Sequence, residues 1–288
     1  MSSTGADVLL SDKEQWRREY RQQRKRRSTG VAVVSTLVFA VAVWLGVSHA
    51  PGWTSARETF LSGHSFRHDT PDILKGLLVD LKILVIAEPS ILAIALIVAT
   101  MRTSISPVLA PLRIAAALFV DLFRGCPTII LLYLFGVGFP SLRLHHVTNS
   151  AAVWGSLAII LSYSAFVTEV FRAGIQSVHP SQRAAARSLG LTQRQTLRLV
   201  VLPQAIRNVI PALLNDFVSL QRDVGLISIV GAVTDAIQQA NIDNQLTFNF
   251  TPYVIAALLF ICIAAPTGRF ADWYNLRAYR RQQAGAVV

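Results

Sequence analysis

Along this chain, apolar runs long enough for membrane helices alternate with short polar stretches; the runs fall at residues 31–48, 71–101, 114–138, 151–173, 204–231 and 252–270. A bilayer's hydrocarbon core is roughly 30 Å thick, so about 20 helical residues cross it. The first run is near the lower limit of length. His49-Ala50-Pro51-Gly52 follows it in place of a small-residue cleavage pattern, so it reads as an uncleaved first helix. Residues 49–70, 139–150 and 234–251 are polar connections on one side, and 102–113 and 174–203 are basic connections on the other. Six passes put both termini on the side of the basic loops, as the positive-inside bias requires. The pattern predicts an all-α membrane protein of about six transmembrane helices, multi-pass, with both termini cytoplasmic.

Two of the runs are not plain spans. Glu88-Pro89 interrupts the second near its middle and predicts a kink. A carboxylate there is costly unless it faces protein or water, which makes Glu88 a candidate pathway residue. Arg124-Gly125-Cys126-Pro127 divides the third. Helices broken at membrane depth are tolerated where the freed backbone lines a cavity or packs in protein. Either a translocation path or a packing kink, with Arg124 reaching Asp121 or a headgroup, fits this stretch.

Composition agrees with the pattern: 52% hydrophobic residues, 15% charged and a mean hydropathy of +0.46 exclude an ordinary soluble domain. The net charge of +11 would suit a nucleic acid, but the basic residues sit between apolar runs and in the tails, so no nucleic-acid partner is expected. Lys13, Arg17, Arg18, Arg21, Arg24, Lys25, Arg26 and Arg27 make residues 1–28 a basic tail that sets topology and contacts the lipid bilayer. Cys126 and Cys262 lie in apolar runs without disulfide or zinc spacing. His145 and His146 are two ligands without a third, so no metal site is expected. Glu169 and Arg172 are three apart on one helix face, either a local ion pair or a contact for a zwitterionic solute. Pro211, Asp216, Arg222 and Asp223 place the 204–231 helix inside a bundle, where Ser219, Gly225 and Ser228 allow close contacts.

The polar stretch 174–203, GIQSVHPSQRAAARSLGLTQRQTLRLVVLP, is the chain's main non-membrane feature. Pro180 suits the first turn of a helix, Gly190 a left-handed C-terminal cap, and Thr192 with Gln195 a capping box. Pro203 disfavours helix at the residue before it. A helix–glycine–helix knuckle at the membrane surface results, either an ordinary basic loop or a docking element for a soluble partner.

The order of residues in QRAAARSLGLTQRQTLRLVVLPQA, with Gly190 and Leu202-Pro203 at this spacing, resembles the cytoplasmic coupling (EAA) loop of permease subunits of binding-protein-dependent ABC importers. More narrowly, it resembles the branch for polar amino acids such as glutamate, glutamine, histidine and arginine. Asp121 to Pro127 resembles E-F-F-R-G-T-P, Thr168 to Val178 resembles A-E-I-F-R-G-G-I-Q-S-V, and Arg222 to Ser228 resembles K-D-T-S-L-x-S. Ala184 stands where the loop's glutamate is expected; Ala185 and Ala186 keep the two alanine positions.

The resemblance implies the type I ABC importer transmembrane fold in a bacterial cytoplasmic (inner) membrane. It divides the chain into a basic tail (1–30), an extra N-terminal helix (31–48), a permease domain (71–276) and a C-terminal tail (277–288). Pro180, Gln182, Arg183, Ala184, Ala185, Ala186, Arg187, Gly190, Leu202 and Pro203 would form the ATPase-coupling loop. Arg124, Glu169, Asp223 and Glu88 are the candidate substrate pathway. The implied partners are two copies of an ABC ATP-binding subunit, a second permease chain (the same or a related one) and an extracytoplasmic substrate-binding protein. No catalytic residue or cofactor is expected on this chain, which lacks the G-x-x-x-x-G-K-[ST] phosphate loop; ATP and Mg belong to the partner ATPase. A secondary transporter would show repeated halves, and none is evident. Loss of the loop glutamate leaves open a non-transporting scaffold or sensor, and a different small polar solute is the other alternative.

Overall fold

The computed structural model describes residues 12–103, 107–143, 145, 147–231 and 233–285; His146 and the first eleven residues of the basic tail lie outside them. The chain forms two units that meet at Glu58 and Thr59. The first contains α1 (Asp12–Ser48) and most of α2 (Trp53–Phe60). Expected tail and first span are one helix, and its apolar side chains from Val31 to Val47 are all exposed. A helix apolar on every face is suited to lipid. Trp44 meets Trp53 edge-on at 6.2 Å beyond its end.

The second unit begins with α3 (Gly63–His68), so the stretch 49–70, expected as plain loop, carries two short helices. Next is α4 (Thr70–Thr103), unbroken through Pro89. It buries Ile73, Leu77, Asp80, Leu84, Ala87, Ile91, Ala95 and Val98, spaced three and four apart, while Val85 and Ile86 stay exposed. That stripe is the face which packs into a bundle. The third run is broken as its sequence requires: α5 (Ala110–Gly125) and α6 (Thr128–Tyr133) belong to a pair bent by 103°. Cys126 is extended at φ −93°, ψ 130°, the conformation that a following proline imposes. Past α6, a wide π-helical turn over Leu134–Gly138 leads into α7 (Phe139–Ser141).

Helix α8 (Ala151–Gln176) lies against α4, and Thr168 Oγ1 on it donates to Ser164 O at 2.6 Å. After α9 (Pro180–Ser188) and α10 (Gln193–Thr196) the chain does not stop at Pro203. A second π turn, Leu197–Val201, carries it directly into α11 (Leu202–Asp223). Both π turns end two residues before a proline, Pro140 and Pro203, where a wider turn relieves the clash of the ring with the preceding turn. A tight 3₁₀ segment, Val224–Val230, follows.

The polar stretch expected as an outer loop, 234–251, is instead built around α12 (Ala236–Thr247), with Ala236 and Ala240 buried. Its start was legible in the N-cap Asp235, whose Oδ1 accepts from Gln238 N at 2.8 Å. Its amphipathic pattern is too weak to announce a helix. The last helix, α13 (Thr251–Gly285), continues past residue 270, so the expected boundary at 276–277 falls inside it. Among the described residues five helices are long and apolar enough to cross a membrane, six if the bent pair counts as one span.

Close crossings depend on glycine. A Cβ on Gly174 would lie 2.0 Å from Val209 Cγ1, where α8 crosses α11. One on Gly76 would lie 2.5 Å from the carbonyl carbon of Asp235, backbone that cannot rotate away. Gly76→Ala should therefore destabilise the protein by about 1–3 kcal/mol, the usual cost of overpacking. Thermal unfolding in nanodiscs tests this; an unchanged midpoint would show that α12 is not seated on α4 as described.

Candidate functional site

The knuckle is built by local bonds at each turn. His179 caps α9, its Nδ1 accepting from Ser181 N at 3.2 Å, and Pro180 occupies the first turn. At the other end Gly190 sits at φ +83°, its N–H reaching Arg187 O at 3.0 Å while Leu191 N reaches Ala186 O at 3.2 Å. This pair of bonds is a Schellman cap, which needs the left-handed residue that glycine supplies. Thr192 and Gln195 form the reciprocal capping box at the start of α10.

Long-range contacts hold the knuckle against the bundle. Val178, Val201 and Ala205 form a buried cluster. Arg183 Nη2 donates to Ile175 O at 2.6 Å, Asn208 Nδ2 donates to Ser177 Oγ at 2.8 Å, and Gln182 bonds Gln204. Of the loop residues, Ala186 is buried and Arg183 half-buried. Pro180, Gln182, Ala184, Ala185, Arg187, Gly190, Leu202 and Pro203 are exposed. Leu189, 84% exposed, projects from the tip. The arrangement offers a rigid two-helix platform with Arg187, Arg194 and Arg198 on its surface.

The pathway candidates fall in separate places. Glu169 on α8 is engaged by two arginines: Arg102, from the end of α4, and Arg172, whose Nη2 lies 2.6 Å from Oε2. Arg172 Nη1 also reaches Gln176 Oε1 at 3.3 Å. These charge-assisted bonds clamp the α4 and α8 ends next to the knuckle. Arg102 was visible only as the first basic residue after an apolar run, and its partner was not. Asp223, at the end of α11, accepts a 2.7 Å hydrogen bond from Tyr163, a residue that no motif or spacing singles out. Arg124 does not pair with Asp121 among the described residues; its guanidinium lies 5.5 Å from the centre of the Phe166 ring. Glu88 is half-buried on α4 and makes no hydrogen bond or ion pair among the described residues. Asp216 on α11 has Oδ2 buried and unpartnered among them. Among the described residues no group of three or more His, Cys, Asp or Glu is placed to hold a metal ion.

Known proteins match along most of this architecture. The chain is 33% identical to "Inner membrane amino-acid ABC transporter permease protein YhdY" of Escherichia coli over 168 residues, 57% of this chain and 46% of that protein. It thus spans less than half of that relative's length. It is 33% identical to "Probable glutamine ABC transporter permease protein GlnM" of Bacillus subtilis over 183 residues, 63% of this chain and 82% of the relative. The solved structure "Crystal structure of an amino acid ABC transporter with histidines" superposes at a TM-score of 0.68 with 30% identity, covering 75% of this chain and 99% of that one. Residues 91–279, which include the broken helix, the arginine-clamped Glu169 and the whole knuckle, match the family "Binding-protein-dependent transport system inner membrane component", and this multi-pass membrane chain belongs to that family.

Proposed function

We propose that this chain is the permease subunit of an ATP-driven, binding-protein-dependent importer of a polar amino acid, with glutamate, glutamine or a basic amino acid as the substrate class. The observation that carries the reading is the knuckle: two capped helices, anchored through Arg183 and Asn208, present an exposed face where α8 ends and α11 begins. Such a body can pass a push from a soluble ATPase to α8 and α11 without deforming. ATP and Mg would be held by that ATPase, present in two copies. A second permease chain, the same or related, completes the path, and a substrate-loaded binding protein docks on the outer side. Both termini are cytoplasmic in this arrangement, in a bacterial inner membrane. Names of the relatives support the amino acid class.

Within the path, roles divide by what each side chain already touches. Glu169 is committed to Arg102 and Arg172, so it acts as a clamp between α4 and α8. Asp223, held by one hydroxyl, retains capacity for an ammonium group. Arg124 at the helix break suits the carboxylate. Asp223→Asn should raise KM for uptake at least tenfold with folding intact, the scale set by 1.5–3 kcal/mol for a bond to a charged group, roughly. Glu169→Gln should instead lower the thermal midpoint and kcat with KM little changed. Proteoliposome uptake together with unfolding separates the two; the reverse pattern would exchange the roles.

Gly190→Ala forces a left-handed conformation on an alanine, at a cost of roughly 1–2 kcal/mol. The knuckle should loosen, and co-purification of the ATPase should fall several-fold while the chain stays in the membrane fraction. Unchanged ATPase binding would remove the knuckle from the docking face.

A further inference from the structure

Helix α12 rests on α4 through two acids. Asp80, 3% exposed within the buried stripe of α4, uses Oδ2 to accept from Ala236 N at 3.3 Å. Asp235, fully buried, uses Oδ1 to cap α12. Asp80 Oδ1 and Asp235 Oδ2 are buried with no hydrogen-bond partner among the described residues. Nor does a basic side chain form an ion pair with either there. From α11, Gln221 and Arg222 line a cavity of about 10 Å³ beside Asp80, room for roughly one water. Arg222 Nη2 turns to Ser219 Oγ at 3.3 Å. Helix α13 contributes Phe260, Ile263 and Ala264, and α4 contributes Leu77, Leu81 and Leu84, none of them a counter-charge. At the far end of α12, Asp243 faces Asp69, with Asp72 and His68 nearby; His68 is bonded to Asp69 at 2.9 Å, and Asp72 to Lys75 at 2.7 Å.

Two adjacent carboxylates shielded from water cannot both ionise without an uncompensated repulsion. We propose that Asp80 and Asp235 form a proton-binding site, carrying one proton between them so that the start of α12 seats on α4 without repulsion between two buried charges. Protonation of one acid removes the repulsion between the two, while backbone N–H groups of Gln238, Ile237 and Ser228 face Asp235. Release of the proton to water leaves two negative charges and loosens the seat. Burial pushes Asp235 up to about 6, in keeping with such a site. An acid raised in the folded state costs nothing below the unfolded value of about 4. The penalty grows as pH climbs through the folded value near 6 and persists above it, so stability falls as pH rises. Because α12 follows the α11 span at the end away from the knuckle, it is the outer pH that the pair would sense. This inference does not depend on which solute is carried.

Infrared difference spectra of the full chain in nanodiscs, wild type against Asp80→Asn and Asp235→Asn at pH 6, test it directly. A carbonyl stretch of a protonated carboxylic acid should be present in the wild type and be shifted in frequency or reduced in each variant, as the partner acid is removed. Asparagine still caps helices, so Asp235→Asn keeps the start of α12 even where Asp80→Asn does not fold. The wild-type melting midpoint should fall between pH 5 and pH 8, and Asp80→Asn should at least halve that fall. Absence of a band assignable to the pair, or an unchanged pH slope in the variant, would overturn the proposal. So would restoration of wild-type stability at pH 8 by sodium but not by choline, which would make the site one for a metal cation.

Discussion

Lipid offers a backbone no hydrogen bonds, and that constraint governs where this chain can depart from the α-helix. It departs in the bent pair around Cys126-Pro127, in two π turns and in the 3₁₀ segment Val224–Val230. The bent pair is open at Gly125 and Pro127, both exposed, while each π turn buries one residue against protein. Gly136, in the first π turn, lies so close to Val230 that a Cβ would sit 2.8 Å from Cγ1; Val201, closing the second, is buried under the knuckle. The irregular segments are therefore concentrated against α8 and α11, the two helices that also carry the knuckle and the Tyr163–Asp223 bond. In the proposed function, backbone breaks concentrated on the helices that lead to the knuckle are the elements that turn a push there into a rearrangement at the break.

Much of this was legible in sequence because the responsible signals are local. Pro127 forces Cys126 extended, Gly190 supplies the left-handed cap, and Thr192 with Gln195 closes a box three residues long. Helix α12 was missed because its polar side chains pair with one another, Gln239 with Asp243 and Gln245 with Asn241, and leave no apolar stripe, while the bond that seats it, Ala236 N to Asp80, comes from a residue 156 positions away. Arg102 and Glu169 meet across 67 residues, and Tyr163 and Asp223 across 60, so no spacing rule could pair them. Pro203 was expected to disfavour helix at Leu202, yet Leu202 is helical at φ −61°, ψ −44°, because a wide turn before it absorbs the proline without a break.

The replacement of the loop glutamate by Ala184 is the point at which family resemblance and local chemistry diverge. Ala184 is exposed, and its carbonyl accepts from Ser188 Oγ at 3.1 Å, so nothing in the knuckle's own integrity depends on a longer side chain there. The platform persists through its caps and through Arg183. In the proposed function, contact with the ATPase then rests on the shape of the platform and on Arg187, Arg194 and Arg198.

The most direct test is ATP hydrolysis by the chain reconstituted in nanodiscs with an ATPase subunit and a substrate-binding protein, with and without a panel of polar amino acids. The account predicts that the complex assembles despite Ala184 and that at least one polar amino acid stimulates hydrolysis. Failure of the ATPase to bind, both to the wild-type chain and to Ala184→Glu, would contradict the account and favour a scaffold that keeps the permease fold without transporting.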